Sequence, residues 1–149
     1  MFGWLRKKKK SKSLNIKISA TQISDSKRRD IDTALEWLND LLDNDGFEVA
    51  GDSREDNATI EKSVDVEGGY DLDCRIDLGI IDEDRQNDDH RYVSGIEFGS
   101  DLSFQSWDGE IEFSEGDNPM TYKKCRSTYE KFMQKVEKTG LLEPKPGPE

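Results

Sequence analysis

A chain of 149 residues with an apolar fraction of 32% has the size of one domain and enough apolar side chains for a small core. It contains no run of about 18 apolar residues, and no apolar segment follows its basic N-terminus, so we expect neither a transmembrane helix nor a signal peptide. The net charge of −11 is unevenly distributed, because residues 30–118 hold 28 acidic and five basic residues. Their local net charge of −23 repels nucleic acid and anionic lipid and attracts basic surfaces.

The first 13 residues, MFGWLRKKKKSKS, are expected to form a disordered basic head. In this head an aromatic residue, Trp4, precedes a run of four lysines, Lys7, Lys8, Lys9 and Lys10. This order is typical of a segment that makes weak contact with an anionic membrane surface. Two other interpretations stay open, namely that the head folds over the acidic part of its own chain or that it only keeps the protein soluble.

Residues 14–20 alternate between apolar and polar side chains, which predicts a short strand with Leu14, Ile16 and Ile18 on one face. The segment that follows has apolar residues at helical spacing. It predicts a helix that is capped by Ser24 or Ser26 and ends at Gly46. The apolar stripe of this helix consists of Ile31, Ala34, Leu35, Leu38, Leu41 and Leu42.

Between Phe47 and Phe113 the apolar residues recur at every second position, which predicts several short antiparallel strands. The predicted strands cover residues 58–66, 71–81, 92–98, 102–104 and 111–113. The inward face of the third of these strands is expected to hold Tyr92, Ser94, Ile96 and Phe98.

Gly68 and Gly69 mark a turn between the first two long strands. A two-residue loop would mix apolar and acidic residues on one face, whereas a three-residue loop of Gly68, Gly69 and Tyr70 keeps them apart. On the outward face the longer loop sets three acidic pairs against each other, Glu67 with Asp71, Asp65 with Asp73, and Glu61 with Asp77. Like charges that face each other destabilise a sheet, so this ladder is a candidate surface for a cationic partner.

Asp108 and Gly109 are typical of a two-residue type I′ turn. Such a turn would place Phe104 opposite Phe113 and would leave Trp107 exposed beside Glu110. An exposed tryptophan with an acidic rim is a plausible anchor for a protein partner.

Asp117, Asn118 and Pro119 predict the start of a second helix, with proline in its first turn. Its apolar stripe consists of Tyr122, Cys125, Tyr129, Phe132, Met133 and Val136, and Gly140 follows its end. The last seven residues, EPKPGPE (143–149), are expected to be a disordered tail.

Together these elements predict a single α+β domain at residues 14–142. We expect a curved antiparallel β-meander of about six or seven strands, with the N-terminal and C-terminal helices packed on one face. Cys74 and Cys125 fall on predicted inward faces, which indicates buried free thiols and a cytoplasmic location.

No catalytic or cofactor motif is present, so we expect a protein that is not an enzyme and uses no cofactor or metal. His90 is the only histidine, and no spacing connects it to a nucleophile. The residues around Gly46 match a calcium loop only in part, because Leu41 stands where the first oxygen ligand is needed. The acidic residues that flank residues 85–87 would hold a hard cation only weakly.

In size, acidity and α+β layout, the chain resembles small bacterial immunity proteins and secretion chaperones. We therefore expect a non-enzymatic protein that masks a basic protein partner, such as a nuclease toxin or another nucleic-acid-binding protein, and does not bind nucleic acid itself. The residues expected to bind this partner are Asp65, Glu67, Asp71, Asp73, Asp77, Asp84, Asp88, Asp89, Trp107 and Glu110. The alternative is an adaptor at the inner face of the membrane, tethered by Trp4 and the lysines of the basic head.

Overall fold

The computed structural model describes residues 23–50, 57–84 and 91–142, which form an α+β fold. Within these residues the elements follow in the order α1 (Asp25–Asn44), β1 (Glu48–Val49), β2 (Asn57–Val66), β3 (Tyr70–Asp84), β4 (Arg91–Ser106), β5 (Glu112–Met120) and α2 (Tyr122–Lys138). The five strands form one antiparallel sheet in which chain neighbours are also spatial neighbours. The predicted strand at 14–20, the basic head and the tail lie outside the described residues.

Both helices lie on one face of the sheet, which we call the inner face. The aromatic ring of Trp37 in α1 lies 6.3 Å from that of Phe98 in β4 and 6.4 Å from that of Tyr129 in α2. The same core holds the inward residues of β3 and β4, among them Leu72, Cys74, Ile76, Leu78, Leu102 and Phe104. Neither described helix is long and apolar enough to cross a membrane.

Helix α1 begins and ends as the sequence predicts. The side chain of Ser24 accepts a hydrogen bond from the backbone N–H of Lys27 at 3.1 Å and so caps the first turn. At the other end Gly46 takes a positive φ of 83°, a conformation that glycine adopts without steric cost. The buried stripe of the helix includes Trp37 in addition to the predicted aliphatic residues.

Helix α2 begins later than predicted. Strand β5 continues through Pro119 to Met120, and the side chain of Thr121 accepts a hydrogen bond from the backbone N–H of Lys124 at 3.1 Å. A proline is tolerated in β5 because the strand lies at the edge of the sheet, where a missing N–H breaks no ladder. The predicted helix start at residues 117–119 is therefore wrong, whereas the buried positions Cys125, Tyr129, Phe132 and Val136 agree with the predicted stripe.

Strand β4 is one strand of 16 residues, where the sequence predicted two shorter ones. Ser100 stays on the inner face at 8% exposure, and its hydroxyl lies 3.4 Å from the sulfur of Met120, so the alternation continues without a break. A β-bulge interrupts the pairing of β3 with β4, because Gly95 lies opposite Ile81 and Val93 lies opposite Asp82. The extra residue, Ser94, reverses which residues of β4 face inward on its N-terminal side. For this reason Val93, and not the predicted Ser94, is buried. The count of about six or seven strands was accordingly too high for the described residues, which form five.

The pairing of β2 with β3 differs from the predicted register by two residues. The loop consists of Glu67, Gly68 and Gly69, so that Val66 lies opposite Tyr70 and Val64 opposite Leu72. Tyr70 is buried, and its ring lies 5.4 Å from that of Phe104. The observed loop places this ring in the sheet, where its burial is favourable, whereas the predicted loop of equal length would have left Tyr70 in the turn.

The turn between β4 and β5 differs from the predicted one, although the register of the two strands does not. The backbone N–H of Gly109 donates to the carbonyl of Ser106 at 2.9 Å, so Trp107 and Asp108 occupy the centre of the turn. The carboxylate of Asp108 fixes this geometry, because it accepts from the Ser106 hydroxyl at 2.7 Å and from the Glu110 N–H at 3.0 Å. The predicted two-residue turn is wrong, but the predicted pairing of Phe104 with Phe113 is confirmed.

Candidate functional site

The outer face of the sheet, opposite the two helices, is strongly acidic. We call this surface the acidic face; its carboxylates come from all five strands and belong to Glu48, Glu61, Asp65, Asp71, Asp73, Asp77, Glu97, Asp101 and Glu112. Within the described strand residues 57–81 and 93–120, Arg75 is the only cation on this face. Such a surface carries a negative potential that attracts cationic groups.

The corrected register removes most of the expected repulsion between the strands. Among the three predicted acidic pairs none survives, and one new pair, Asp65 with Asp71, forms next to the turn. Partial desolvation, together with the carboxylates of Asp71, Glu67 and Asp73, raises the pKa of Asp65 above its usual value. Between β2 and β3 the repulsion is thus concentrated at the pair of Asp65 and Asp71, and β1 adds a second acidic pair, Glu48 opposite Glu61.

Two other carboxylates of this face, those of Asp73 and Asp77, accept hydrogen bonds from hydroxyl groups. The hydroxyl of Ser63 donates to Asp73 at 2.7 Å, and the hydroxyl of Thr59 donates to Asp77 at 2.6 Å. Arg75 lies opposite Glu61 and forms an ion pair with Asp77, at 3.5 Å between its Nε and the nearer carboxylate oxygen. These contacts hold the side chains in a defined pattern, although exposed ion pairs of this kind contribute little stability.

A shallow depression of about 370 Å³ lies around Arg75 on the acidic face. Glu61, Asp73 and Asp101 contribute carboxylates to its wall, and Ser63 and Ser103 contribute hydroxyls. Lys62 and Arg75 also line it, so three carboxylates and two cations meet there and the excess negative charge is small.

A second feature lies at the turn end of the sheet, where the two hairpin turns touch. The backbone N–H of Trp107 donates to the carbonyl of Gly69 at 2.9 Å and joins the turns. The indole of Trp107 is 48% exposed, and a groove of about 380 Å³ runs between it, Gly68 and Leu141. Asp108 and Glu110 also line this groove, so it combines apolar and acidic side chains.

The predicted binding residues do not all come together. Asp65, Glu67, Asp71, Trp107 and Glu110 lie at the turn end of the sheet, and Asp73 and Asp77 follow along β3. Asp84 occupies the opposite end of the same strand, roughly 40 Å away at the usual rise per strand residue. Asp88 and Asp89 lie outside the described residues, as do Trp4, Lys7, Lys8, Lys9 and Lys10.

The exposed side of α2 carries the opposite charge. Its basic residues are all exposed and comprise Lys123, Lys124, Arg126, Lys131, Lys135 and Lys138. Four of these lysines border a groove of about 560 Å³ beside β5, where Lys135 forms an ion pair with Glu115 at 3.2 Å. The positive charge is confined to α2, because α1 on the same face of the sheet holds six acidic and three basic residues.

The described residues offer neither a reactive cysteine nor a cluster of metal ligands. Burial raises the pKa of Cys74 to about 12 and that of Cys125 to about 12, so both thiols stay protonated at neutral pH and are poor nucleophiles. Within the described ranges, histidine, cysteine, aspartate and glutamate side chains form no group of three or more that could hold a metal ion.

Comparison of the chain with protein-family models, with curated proteins and with solved structures finds no match. Function is therefore argued from the geometry of the acidic face and its surroundings.

Proposed function

We propose that this protein is a non-enzymatic binding protein that uses its acidic face to mask a basic surface of a protein partner. One observation carries the proposal: a sheet face with carboxylates from all five strands and a single cation, Arg75, among the described strand residues 57–81 and 93–120. A surface of one sign accelerates the encounter with a partner of the opposite sign and disfavours partners of the same sign.

Electrostatic attraction brings a partner close but does not hold it, and the turn end of the sheet offers an apolar contact that could. Trp107 is half-exposed beside a groove, and Asp108 and Glu110 surround it with negative charge. Interface energy concentrates in aromatic residues that become desolvated on binding. In this proposal the acidic face orients the partner, and Trp107 holds it once water has left the groove.

A nuclease or another nucleic-acid-binding protein is the class of partner that fits best. Such proteins expose lysine and arginine clusters that bind phosphate, and the acidic face presents carboxylates over a comparable extended surface. Masking this cluster would block nucleic-acid binding by direct competition. The membrane-surface alternative draws no support from the fold, because the basic head lies outside the described residues.

A capture experiment with three baits tests the proposal. The baits are the wild-type chain, the variant Asp71→Lys with Asp73→Lys on the acidic face, and the control Asp32→Lys with Glu36→Lys on the exposed side of α1. Both variants change the net charge equally. We expect wild type and control to retain the same basic protein from nuclease-treated lysate and release it with moderate salt, and the acidic-face variant to lose it. Equal retention by all three baits would contradict the proposal.

A further inference from the structure

The groove between α2 and β5 is lined mainly by lysines. Lys124, Lys131, Lys135 and Lys138 border it, and Glu115 of β5 is the one carboxylate among its described lining residues. The four lysines are seven, four and three positions apart, a spacing that places side chains on one side of a helix. We call them the lysine row. At the usual rise of an α-helix, this row extends about 21 Å from its first lysine to its last.

The positive charge of the lysine row is local. Helix α2 holds six basic and two acidic residues, whereas the net charge of the whole chain is −11. In about 0.1 M salt, exposed charges that are more than about 10 Å apart are largely screened from each other. A ligand in the groove therefore interacts mainly with the four lysines and Glu115, which together carry an excess of positive charge.

Contacts with β5 hold Lys135 at the side of the groove. Its ammonium group lies 3.2 Å from a carboxylate oxygen of Glu115 and 4.9 Å from the ring centroid of Phe113. About half of the lysine side chain, 51%, remains exposed. Because an exposed ion pair of this kind contributes little stability, the ammonium group can turn to a carboxylate of a ligand at little cost.

The other lining residues favour a peptide over a chain of phosphates. Ser127, Thr128 and Gln134 offer hydroxyl and amide groups that both donate and accept hydrogen bonds. The carboxylate of Glu115 only accepts, so it repels a phosphate but can accept from the N–H of a peptide. Phe132, the aromatic residue that lines the groove, is completely buried and offers no ring on which a base could stack.

We propose that the lysine row binds an acidic peptide segment of a protein partner. The segment lies extended along α2, where its carboxylates pair with the lysines and its backbone contacts Ser127, Thr128 and Glu115. About six extended residues match the length of the row. Charge complementarity carries this assignment. The groove shares no lining residue with the depression around Arg75 or the groove at Trp107, so the inference does not rest on the function proposed above.

An NMR titration of the full chain with an octaglutamate peptide tests the site. At low salt we expect saturable shifts of the backbone amides of residues 113–116 and 124–138. These shifts should be lost in about 1 M salt, where the screening length falls to about 3 Å. A readout at these amides distinguishes the groove from the basic residues near the N-terminus, which also attract glutamate.

Two double variants with the same change in net charge show whether the lysine row is responsible. Lys124→Glu with Lys131→Glu reverses two charges in the groove, and the dissociation constant measured at these amides should rise at least about tenfold. The first of these substitutions puts a glutamate three residues after the cap residue Thr121, where it favours the helix. The control Arg28→Glu with Arg29→Glu reverses two exposed charges in α1 and should stay within about twofold of the wild type.

Three outcomes would overturn the proposal. The first is the absence of these shifts from the titrated wild type, and the second is an equal weakening in the two double variants. The third is a single-stranded octathymidylate that shifts the same amides at lower concentration than octaglutamate, since the groove would then select phosphate. The capture experiment on the acidic face uses substitutions outside this groove, so either proposal can fail without the other.

Discussion

The ammonium group of Lys62 lies on the inner face of the sheet and donates a hydrogen bond to the phenol oxygen of Tyr129 at 3.0 Å. The phenol in turn donates to the carboxylate of Asp45 at 3.0 Å, so one chain of hydrogen bonds connects β2, α2 and the C-terminal cap of α1. The same ammonium lies 5.1 Å from the ring centroid of Phe47 and 5.5 Å from that of Tyr129. A half-buried cation is tolerated here because two rings, a hydroxyl and a nearby carboxylate replace water.

Removal of the Tyr129 hydroxyl should destabilise the fold. Burial, followed by the Asp45 carboxylate, raises the pKa of this phenol, so it remains a neutral donor at all ordinary pH values. Tyr129→Phe leaves Lys62 and Asp45 without their shared partner, and we expect a loss of about 1–3 kcal/mol in the free energy of unfolding, measured with urea.

Tyr122→Phe is the matched control for this substitution. Tyr122 also lies in α2, and its hydroxyl accepts a hydrogen bond from Arg126 at 2.7 Å, but the contact is exposed. We expect a change within about 0.5 kcal/mol. Equal losses for the two tyrosines would show that the buried chain of hydrogen bonds has no special role.

Gly116 should be the glycine of the sheet that is most sensitive to substitution. Its φ is 152°, and a Cβ atom at this position would collide with the carbonyl oxygen of Ser100 on the neighbouring strand. Gly116→Ala should cost about 2 kcal/mol or more, because the backbone of β4 or β5 must move.

Gly79→Ala provides the comparison within the same sheet. A Cβ atom at Gly79 meets nothing within 4 Å, and its φ is not in the positive range, so this substitution should be neutral or slightly stabilising. Thermal unfolding of both variants decides the matter, and similar melting temperatures would contradict the close approach of β4 and β5 at Gly116.

Asp71→Asn should stabilise the protein at neutral pH and lose this advantage in acid. The pKa of Asp65 is raised in the folded state, so the charged pair of Asp65 and Asp71 destabilises the fold above that pKa. As the pH falls through it, Asp65 gains a proton more readily in the folded than in the unfolded chain, and the repulsion disappears. Unfolding in urea at pH 7 and near pH 3 measures the difference.

Asp73→Asn removes the same charge from the neighbouring position and serves as the control. Asp73 lies opposite Ser63, whose hydroxyl donates to it, and its carboxylate raises the pKa of Asp65 less than that of Asp71 does, so we expect a smaller gain. A similar gain from both substitutions would mean that stability responds to the total charge of the acidic face and not to the pair of Asp65 and Asp71.

The register of β2 and β3 shows where prediction from the sequence reaches its limit. A loop of Gly68, Gly69 and Tyr70 and a loop of Glu67, Gly68 and Gly69 place the same residues on the same faces, because their registers differ by two. Apolar periodicity therefore cannot distinguish them. The burial of Tyr70 against Phe104 decides between the loops, and this contact involves a third strand that the local pattern does not specify.

Other elements differ in how much of them the sequence determines. The stripe of α1 and the Ser24 cap follow from helical spacing and from one capping hydroxyl, and both were predictable. The late start of α2 was not, since Pro119 fits both a helix start and an edge strand. Lys62 did leave a signal in the sequence, because it occupies an inward position between Ile60 and Val64.

The binding of a lysine-rich peptide tests the acidic face most directly. Its affinity is measured by calorimetry at low and at physiological salt for the wild type, for Asp71→Lys with Asp73→Lys, and for Asp32→Lys with Glu36→Lys. If the acidic face is the binding surface, the first variant binds at least about tenfold more weakly at low salt, and the second stays within about twofold of the wild type. Equal weakening in the two variants would contradict this account, because binding would then follow net charge and not the outer face of the sheet.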